Sequence, residues 1–411
     1  MAERGGRIAV ADGFLSLWRD LEPIGRHAGS GGYRRFAWGG ADGECRDWFR
    51  DQARARGLRY EVDRNGNQWA WRGDPERGDA VVTGSHLDSV PDGGAFDGPL
   101  GVVSAFAAVD RVPEGGRPLG IVNFTDEEGA RFGVACVGSR LATGTLTPER
   151  ARTLRDAQGI SLPQAMERAG RDPDAIGPDP ERLARIGAFV ELHIEQGRAL
   201  ADTPHPVGVA SAIWPHGRWR FDFHGAANHA GTTRLEDRRD PMLTYATTVL
   251  GARKKARLAG ALATFGKVAV EPNGVNAIPS LVRGWLDARA ADRPTLDTVV
   301  AAIEQAARER GGRDGVTVTV TEESRTALVE FDTALRDRLA TLLTERHGGA
   351  PLLPTGAGHD AGILSATVPT AMLYVRNPTG VSHAPAEHAT EDDCEAGVTA
   401  LAEVLEELVC R

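Results

Sequence analysis

The 411-residue sequence predicts an α/β protein: a mostly parallel-sheet catalytic domain, zinc-peptidase-like in layout, with an inserted ferredoxin-like α+β domain. Two observations lead there. Toward both ends of the chain, short apolar β-branched runs alternate with helix-periodic segments, the pattern of buried parallel strands joined by helices. In the middle, polar and apolar residues alternate with period two, the pattern of strands with one wet face.

Taken in order, Asp79–Ser85 is the first β-branched run, and Gly98–Val112 follows with Leu100, Val103 and Ala107 at helical spacing. Leu119–Thr125 and Ala188–Ile194 read as further buried strands, Ala371–Val375 as a fourth. Val398, Leu401, Leu405 and Leu408 mark a last helix. Between them, Arg218–Phe223 and Leu281–Arg289 alternate, separated by helical stretches near 241–259 and 294–310. This β-α-β-β-α-β order suggests a division into a first catalytic part at 1–208, an inserted domain at 209–324 and a second catalytic part at 325–411. Gly25–Gly43, rich in Gly and Arg, is expected to be loop.

Composition narrows the function. Hydrophobic residues at 41% and charged residues at 26% are ordinary for a globular protein. A net charge of -9 disfavours nucleic-acid binding, which relies on clustered Lys and Arg. Met1–Arg7 leads into no apolar segment of the signal-peptide kind, and no run approaches a bilayer span, so neither secretion nor membrane insertion is expected. Cys45, Cys136, Cys394 and Cys410 are scattered, form no CxxC pair and read as reduced thiols of a cytoplasmic protein.

Candidate chemistry collects where the strands end. Gly84-Ser85-His86-Leu87-Asp88-Ser89 follows the first, Asp126-Glu127-Glu128-Gly129 the second, His193 closes the third, and Ser382-His383-Ala384-Pro385 follows the fourth. Carboxyl ends of strands are where open α/β sheets bind ligands. Imidazoles and carboxylates on one rim suit zinc or manganese, and Asp97, in a glycine-rich turn opening a helix, could reach two ions. Glu127 and Glu128 are neighbours on an extended segment and point opposite ways, so one would bind metal and the other act as general base. Taken singly, each of these residues also fits a hydrogen-bonded turn, a cap or a solvated surface.

Together the motifs resemble the M20 metallopeptidase-like amidohydrolases, in the hydantoinase/carbamoylase branch, over nearly the whole chain from about residue 10. The resemblance rests on Gly84–Val90, Asp126–Phe132, Glu191–Gly197, Asn228–Thr233, Gly356–Ala361 and Ser382–Glu387. It implies two divalent ions per subunit (Zn, Mn or Co), held by His86, Asp97, Glu128, His193 and His383, with Asp97 bridging. It implies Glu127 as base and proton shuttle, Asp88 as the group orienting His86, and Gln196 as a contact to a ureido or carbamoyl group. It further implies a lid and dimerisation domain, with His229 stabilising the oxyanion in a partner's site. Asn276 and Arg289 would hold the substrate carboxylate, and His359 and Asp360 would line the pocket. From residues alone, Arg289 reads first as an exposed ion pair with Asp287 or a neighbouring strand. Two departures from the family pattern, Arg234-Leu235 and Ser280, bear on the substrate end of the lid and touch no expected ligand.

The resemblance therefore implies a cytoplasmic homodimer acting on a small carboxylate-bearing amide, an N-carbamoyl-L-amino acid first of all. The rivals are allantoate or ureidoglycolate amidohydrolase, N-acyl amino acid hydrolase or dipeptidase, and a non-catalytic binding homologue. Gln196 argues against the peptidases, and Glu127 against a silent binder.

Overall fold

The computed structural model describes residues 13–410, so the reading of Met1–Arg7 lies outside the described residues. The chain forms two compact units: residues up to Ser211 with those from Glu330 onward, and the inserted Ala212–Val329.

The larger unit is built on a nine-stranded sheet. Its strands are β1 (Arg59–Val62), β2 (Gln68–Arg72), β3 (Ala80–His86), β4 (Leu119–Phe124), β5 (Ile186–Ile194) and β6 (Val207–Ile213). The inserted unit contributes β7 (His216–His224), β8 (Asn228–His229), β9 (Leu262–Glu271), β10 (Ala277–Ile278), β11 (Leu281–Arg289) and β12 (Thr317–Thr326). After β13 (Val329–Glu330), the chain returns to the large sheet with β14 (Leu352–Thr355) and β15 (Thr370–Val375).

The large sheet runs β1-β2-β4-β3-β5-β15-β6-β13, with β14 on β6. It is parallel in its centre, from β4 through β3 and β5 to β15, and antiparallel toward its flanks at β1/β2, β2/β4 and β15/β6. The β1–β2 hairpin carries no long apolar run and went unread in the sequence. Its turn is closed by Asp63, whose carboxylate accepts the N–H of Asn65 and of Asn67, both at 2.9 Å.

Every residue of β3, β4 and β15 is buried, as expected for central strands covered on both faces. The helix Pro99–Val109 is also buried on every side, because Leu100, Val102, Val103, Phe106 and Val109 leave it no polar face. It packs on the sheet and against the C-terminal helix Glu391–Cys410 within one core. Each such aliphatic side chain removed from water contributes about 1.5–3 kcal/mol. This rigid layer holds the strand ends that carry the candidate site.

The inserted unit has a four-stranded antiparallel sheet in the order β12-β7-β11-β9, with helices Pro241–Ala259 and Arg293–Asp314. Alternation does the sorting: Val282, Leu286 and Ala288 of β11 join Trp219, Phe221 and Phe223 of β7 in a core with Leu296, Val299 and Ile303. Asp240 and Asp292 cap the two helices through the N–H of Met242 at 2.9 Å and of Thr295 at 2.7 Å.

All four cysteines are free thiols. Among the described residues, no helix is long and apolar enough to cross a membrane.

Candidate metal centre

Because β3, β4, β5 and β15 run parallel, their carboxyl ends share one rim of the sheet. His86 is the last residue of β3 and His193 the penultimate residue of β5; Glu127 and Glu128 follow β4, and His383 follows β15. Asp97 stands one residue before Gly98, whose φ of +83° lets the chain turn into the helix Pro99–Val109. A Cβ at Gly98 would strike the His86 ring, so the turn admits only glycine.

Asp97 is the hub. Its Oδ1 lies 3.6 Å from His86 Nε2 and 3.2 Å from His193 Nε2, and its Oδ2 lies 3.3 Å from His383 Nε2. Glu128 Oε2 lies 3.7 Å from His383 Nε2. Two donor groups result, His86–Asp97–His193 and Asp97–Glu128–His383, each with ligand atoms within 4.8 Å of one another and both sharing Asp97.

The donor chemistry fits two divalent ions. His193 Nδ1 faces the carbonyl of Ile194 at 2.9 Å and His86 Nδ1 that of Asp88 at 3.2 Å, so each Nδ1–H is spent and each Nε2 lone pair points inward. Both Nε2 atoms are buried without a hydrogen-bond partner, which is costly unless a cation takes them. Packed carboxylates tell the same story. Burial, reinforced by the Asp97 charge, pushes Glu128 up to about 7, and the hydrogen bond to Asp97 raises His383 to about 9.

Glu127 is buried beside His86, with its Oε2 3.7 Å from His86 Nε2. Burial raises its carboxyl well above the usual carboxylate range, against the opposing pull of His86. Asp88 faces the His86 ring with both its carboxylate, whose Oδ1 lies 3.4 Å from His86 Nδ1, and its main-chain carbonyl, 3.2 Å from the same atom. Its two carboxylate oxygens also accept the N–H of Glu127 at 3.1 Å and of Glu128 at 3.0 Å, tying the end of β4 to that of β3. Asp126 and His383 hold left-handed backbone, with φ of 55° and 57°, a local strain concentrated where the donors are aimed.

Gln196 lies in the same cluster. Its Nε2 donates to Asp97 Oδ2 at 2.8 Å and Ser382 Oγ at 3.1 Å, while its Oε1 is buried without a partner. His359 stacks edge-on to His193, ring centroids 4.5 Å apart, and burial holds it well below its ordinary pKa. Asp360 accepts from Ser139 Oγ through one oxygen, and its other oxygen is buried and unpartnered. Burial pushes its carboxyl up to about 8.

The remaining candidates lie in the inserted unit. His229 and Asn276 are exposed and adjacent on the β8–β10 ladder, where the Ala230 N–H donates to the Asn276 carbonyl at 2.9 Å. Arg289 closes the opposite end of β11, about 26 Å from Leu281 at ~3.3 Å per residue. Its guanidinium pairs with Asp287 Oδ1 at 2.7 Å.

Two supporting residues were missed in the sequence. Glu387 Oε1 accepts the N–H of Phe96 and of Asp97, each at 2.9 Å, and so fixes the turn that presents the bridging carboxylate. Its signal was its place four residues after His383. The Cys136 thiol donates to Glu127 Oε1 at 3.3 Å, and nothing local in the sequence pairs the two.

The profile of peptidase family M20/M25/M40 matches residues 82–407. An N-carbamoyl-L-amino acid amidohydrolase from Geobacillus stearothermophilus is 38% identical over 398 residues, covering 94% of this chain and 96% of that protein. An allantoate amidohydrolase from Escherichia coli K12 is 32% identical, covering 92% and 93%. A crystal structure of an amidase of the hydantoinase/carbamoylase family from Burkholderia vietnamiensis superposes with a TM-score of 0.87 at 30% identity, covering 97% of each chain. With these matches spanning the sheet rim and its donor groups, the chain belongs to peptidase family M20/M25/M40, among its amidohydrolases.

Proposed function

We propose that this chain hydrolyses the carbamoyl C–N bond of N-carbamoyl-L-amino acids. The observation that carries the reading is Gln196. Its amide nitrogen is committed to Asp97 and Ser382, leaving a buried carbonyl oxygen with no partner beside the donor cluster. A ureido NH2 group supplies the donor that oxygen lacks; an acyl chain does not.

His86, Asp97 and His193 would hold one ion, and Asp97, Glu128 and His383 the other. Two divalent ions so held supply Lewis-acid polarisation of the scissile carbonyl and lower the pKa of water. Glu127 takes a proton from the attacking water and delivers it to the leaving nitrogen as the C–N bond breaks. The products are the free amino acid and carbamate, which decomposes to ammonia and carbon dioxide, consuming one water overall.

We assign the inserted unit a lid and dimerisation role. Its His229 is given the oxyanion, and Asn276 and Arg289 the substrate carboxylate. Asn276 lies ahead of β10, before the Leu281 end of β11, and Arg289 lies at its other end, about 26 Å away at ~3.3 Å per residue, so a carboxylate gripped by both would draw on two protomers. Leu243, Leu250 and Leu258 form an exposed stripe on helix Pro241–Ala259, next to the edge strand β9, and support a homodimer through this unit. A cytoplasmic setting accords with the free thiols.

A second reading, allantoate amidohydrolase, is favoured by the unpartnered His359 Nε2 and Asp360 Oδ2, which suit a second ureido group. The test is ammonia release by the manganese-loaded protein, with N-carbamoyl-L-amino acids and allantoate in parallel. Faster turnover of a carbamoyl amino acid supports the first reading, and preference for allantoate moves the assignment to the second. Ammonia from neither, with metal bound, overturns both. Glu127→Gln should reduce turnover at least ~100-fold with metal content unchanged.

A further inference from the structure

Away from the metal centre, the larger unit carries a cavity of about 500 Å³ whose lining includes Trp38, Gly40, Arg46, Arg50, Arg168 and Arg171. None of its lining residues belongs to the donor groups described above. Four guanidinium groups meet two carboxylates there, Asp42 and Asp47. Each carboxylate has a partner of its own. Asp42 accepts the Trp38 N–H at 2.8 Å, and Asp47 accepts from Arg50 at 2.5 Å.

Arg46 is nine-tenths buried and is held by the Gly66 carbonyl and by Thr125 Oγ1 at 3.4 Å. Among the described residues, the Arg168 and Arg171 guanidiniums make no side-chain hydrogen bond or close ion pair. Burial, and then the nearby Arg46 charge, lower the pKa of Arg171, against the opposing pull of Tyr60 and Asp63. The sixteen-residue helix Gly40–Ala55 opens on the same cavity, and its N-cap, Gly39, offers no side chain to the first N–H groups. The positive end of the helix dipole therefore adds to the field of the arginines.

We propose that this cavity binds a small phosphate-bearing anion of metabolite size, gripped by Arg168 and Arg171 over the helix N-terminus. Its volume lies within the range of small-molecule sites, roughly 300–1,000 Å³. Planar guanidinium forks together with uncapped backbone N–H groups suit a multiply charged tetrahedral anion. Arg46 links the cavity to Thr125, two residues before Glu127, so the occupant sits one side chain away from the strand end that carries the base.

The experiment is isothermal titration of the full-length, metal-loaded protein with inorganic phosphate, glucose 6-phosphate and succinate. It is repeated on Arg168→Ala/Arg171→Ala and on the single charge reversal Arg168→Glu at its exposed position. Expected are saturable binding of both phosphates, no binding of succinate, and at least about tenfold weaker phosphate binding in both variants with unchanged melting temperature. Equal affinity in the variants would place the anion elsewhere, including at the metal centre, and overturn the proposal. Absence of phosphate binding up to roughly 10 mM, or succinate binding as tight as phosphate, would overturn it equally. None of these readouts depends on the carbamoyl substrate, so the two proposals fail separately.

Discussion

Asp88→Asn isolates one structural link, the carboxylate that ties the end of β3 to that of β4. The side chain is 3% exposed, and its two oxygens accept the Glu127 and Glu128 N–H groups at 3.1 and 3.0 Å. Asparagine preserves the volume and leaves the main-chain carbonyl facing His86 in place. It turns one of the two oxygens into an NH2 group aimed at a backbone N–H. Hydrogen bonds to a charged acceptor contribute about 1.5–3 kcal/mol and neutral ones about 0.5–1.5 kcal/mol. One bond is lost and the other is reduced to the neutral kind, so the expected cost is about 2–4 kcal/mol. For a chain of 411 residues that is a fall in Tm of roughly 2–5 °C. Because the two anchored residues are the candidate base and a candidate ligand, metal affinity and turnover should each fall about 10–100-fold. Thermal unfolding by circular dichroism at saturating manganese, metal titration and ammonia-release kinetics measure the three effects. A variant with Tm within about 1 °C and both metal affinity and kcat within about threefold of the parent would refute the idea that this tie organises the site.

Three further outcomes follow from the geometry. The His383 side chain is 49% exposed, whereas those of His86 and His193 are 1% and 0% exposed, so a chelator should strip one ion per chain well before the second. Loss of both ions in a single phase, followed by metal analysis over time, would contradict that asymmetry. Cys136→Ala removes the thiol donor to Glu127 and should lower kcat about three- to tenfold with KM within about twofold; Cys136→Ser should restore most of it. Equal kcat in both variants and parent would make the contact incidental. If the inserted unit dimerises as proposed, the parent sediments as a dimer and Leu250→Glu, on the exposed stripe of helix Pro241–Ala259, shifts it to monomer without lowering the Tm of the inserted unit's own core. An unchanged dimer would remove that stripe from the interface.

Much of the architecture was legible from local pattern. The runs at Asp79–Ser85, Leu119–Thr125, Ala188–Ile194 and Ala371–Val375 announce buried strands because parallel strands covered on both faces tolerate almost no polar residue. The alternation in Leu281–Arg289 announces a one-faced strand because successive side chains point to opposite sides. The segments bearing His86, Asp97, Glu127, Glu128, His193 and His383 were legible as strand ends and turns, since such places combine rigidity with access. By itself, then, the sequence determined the element types, the family and the residues worth suspecting. Only the tertiary structure decided which of them meet. That Asp97 faces three histidines, that the Asp88 carboxylate accepts two backbone N–H groups of the β4 end, and that Gln196 is left with an unpartnered oxygen are facts about distances between residues up to 286 positions apart along the chain, as from Asp97 to His383. The β1–β2 hairpin, the Cys136–Glu127 contact and the convergence of Arg46, Arg50, Arg168 and Arg171 were invisible for the same reason. A pairing between distant segments leaves no periodicity in either, and it is set only when the sheet order and the packed helices bring them together.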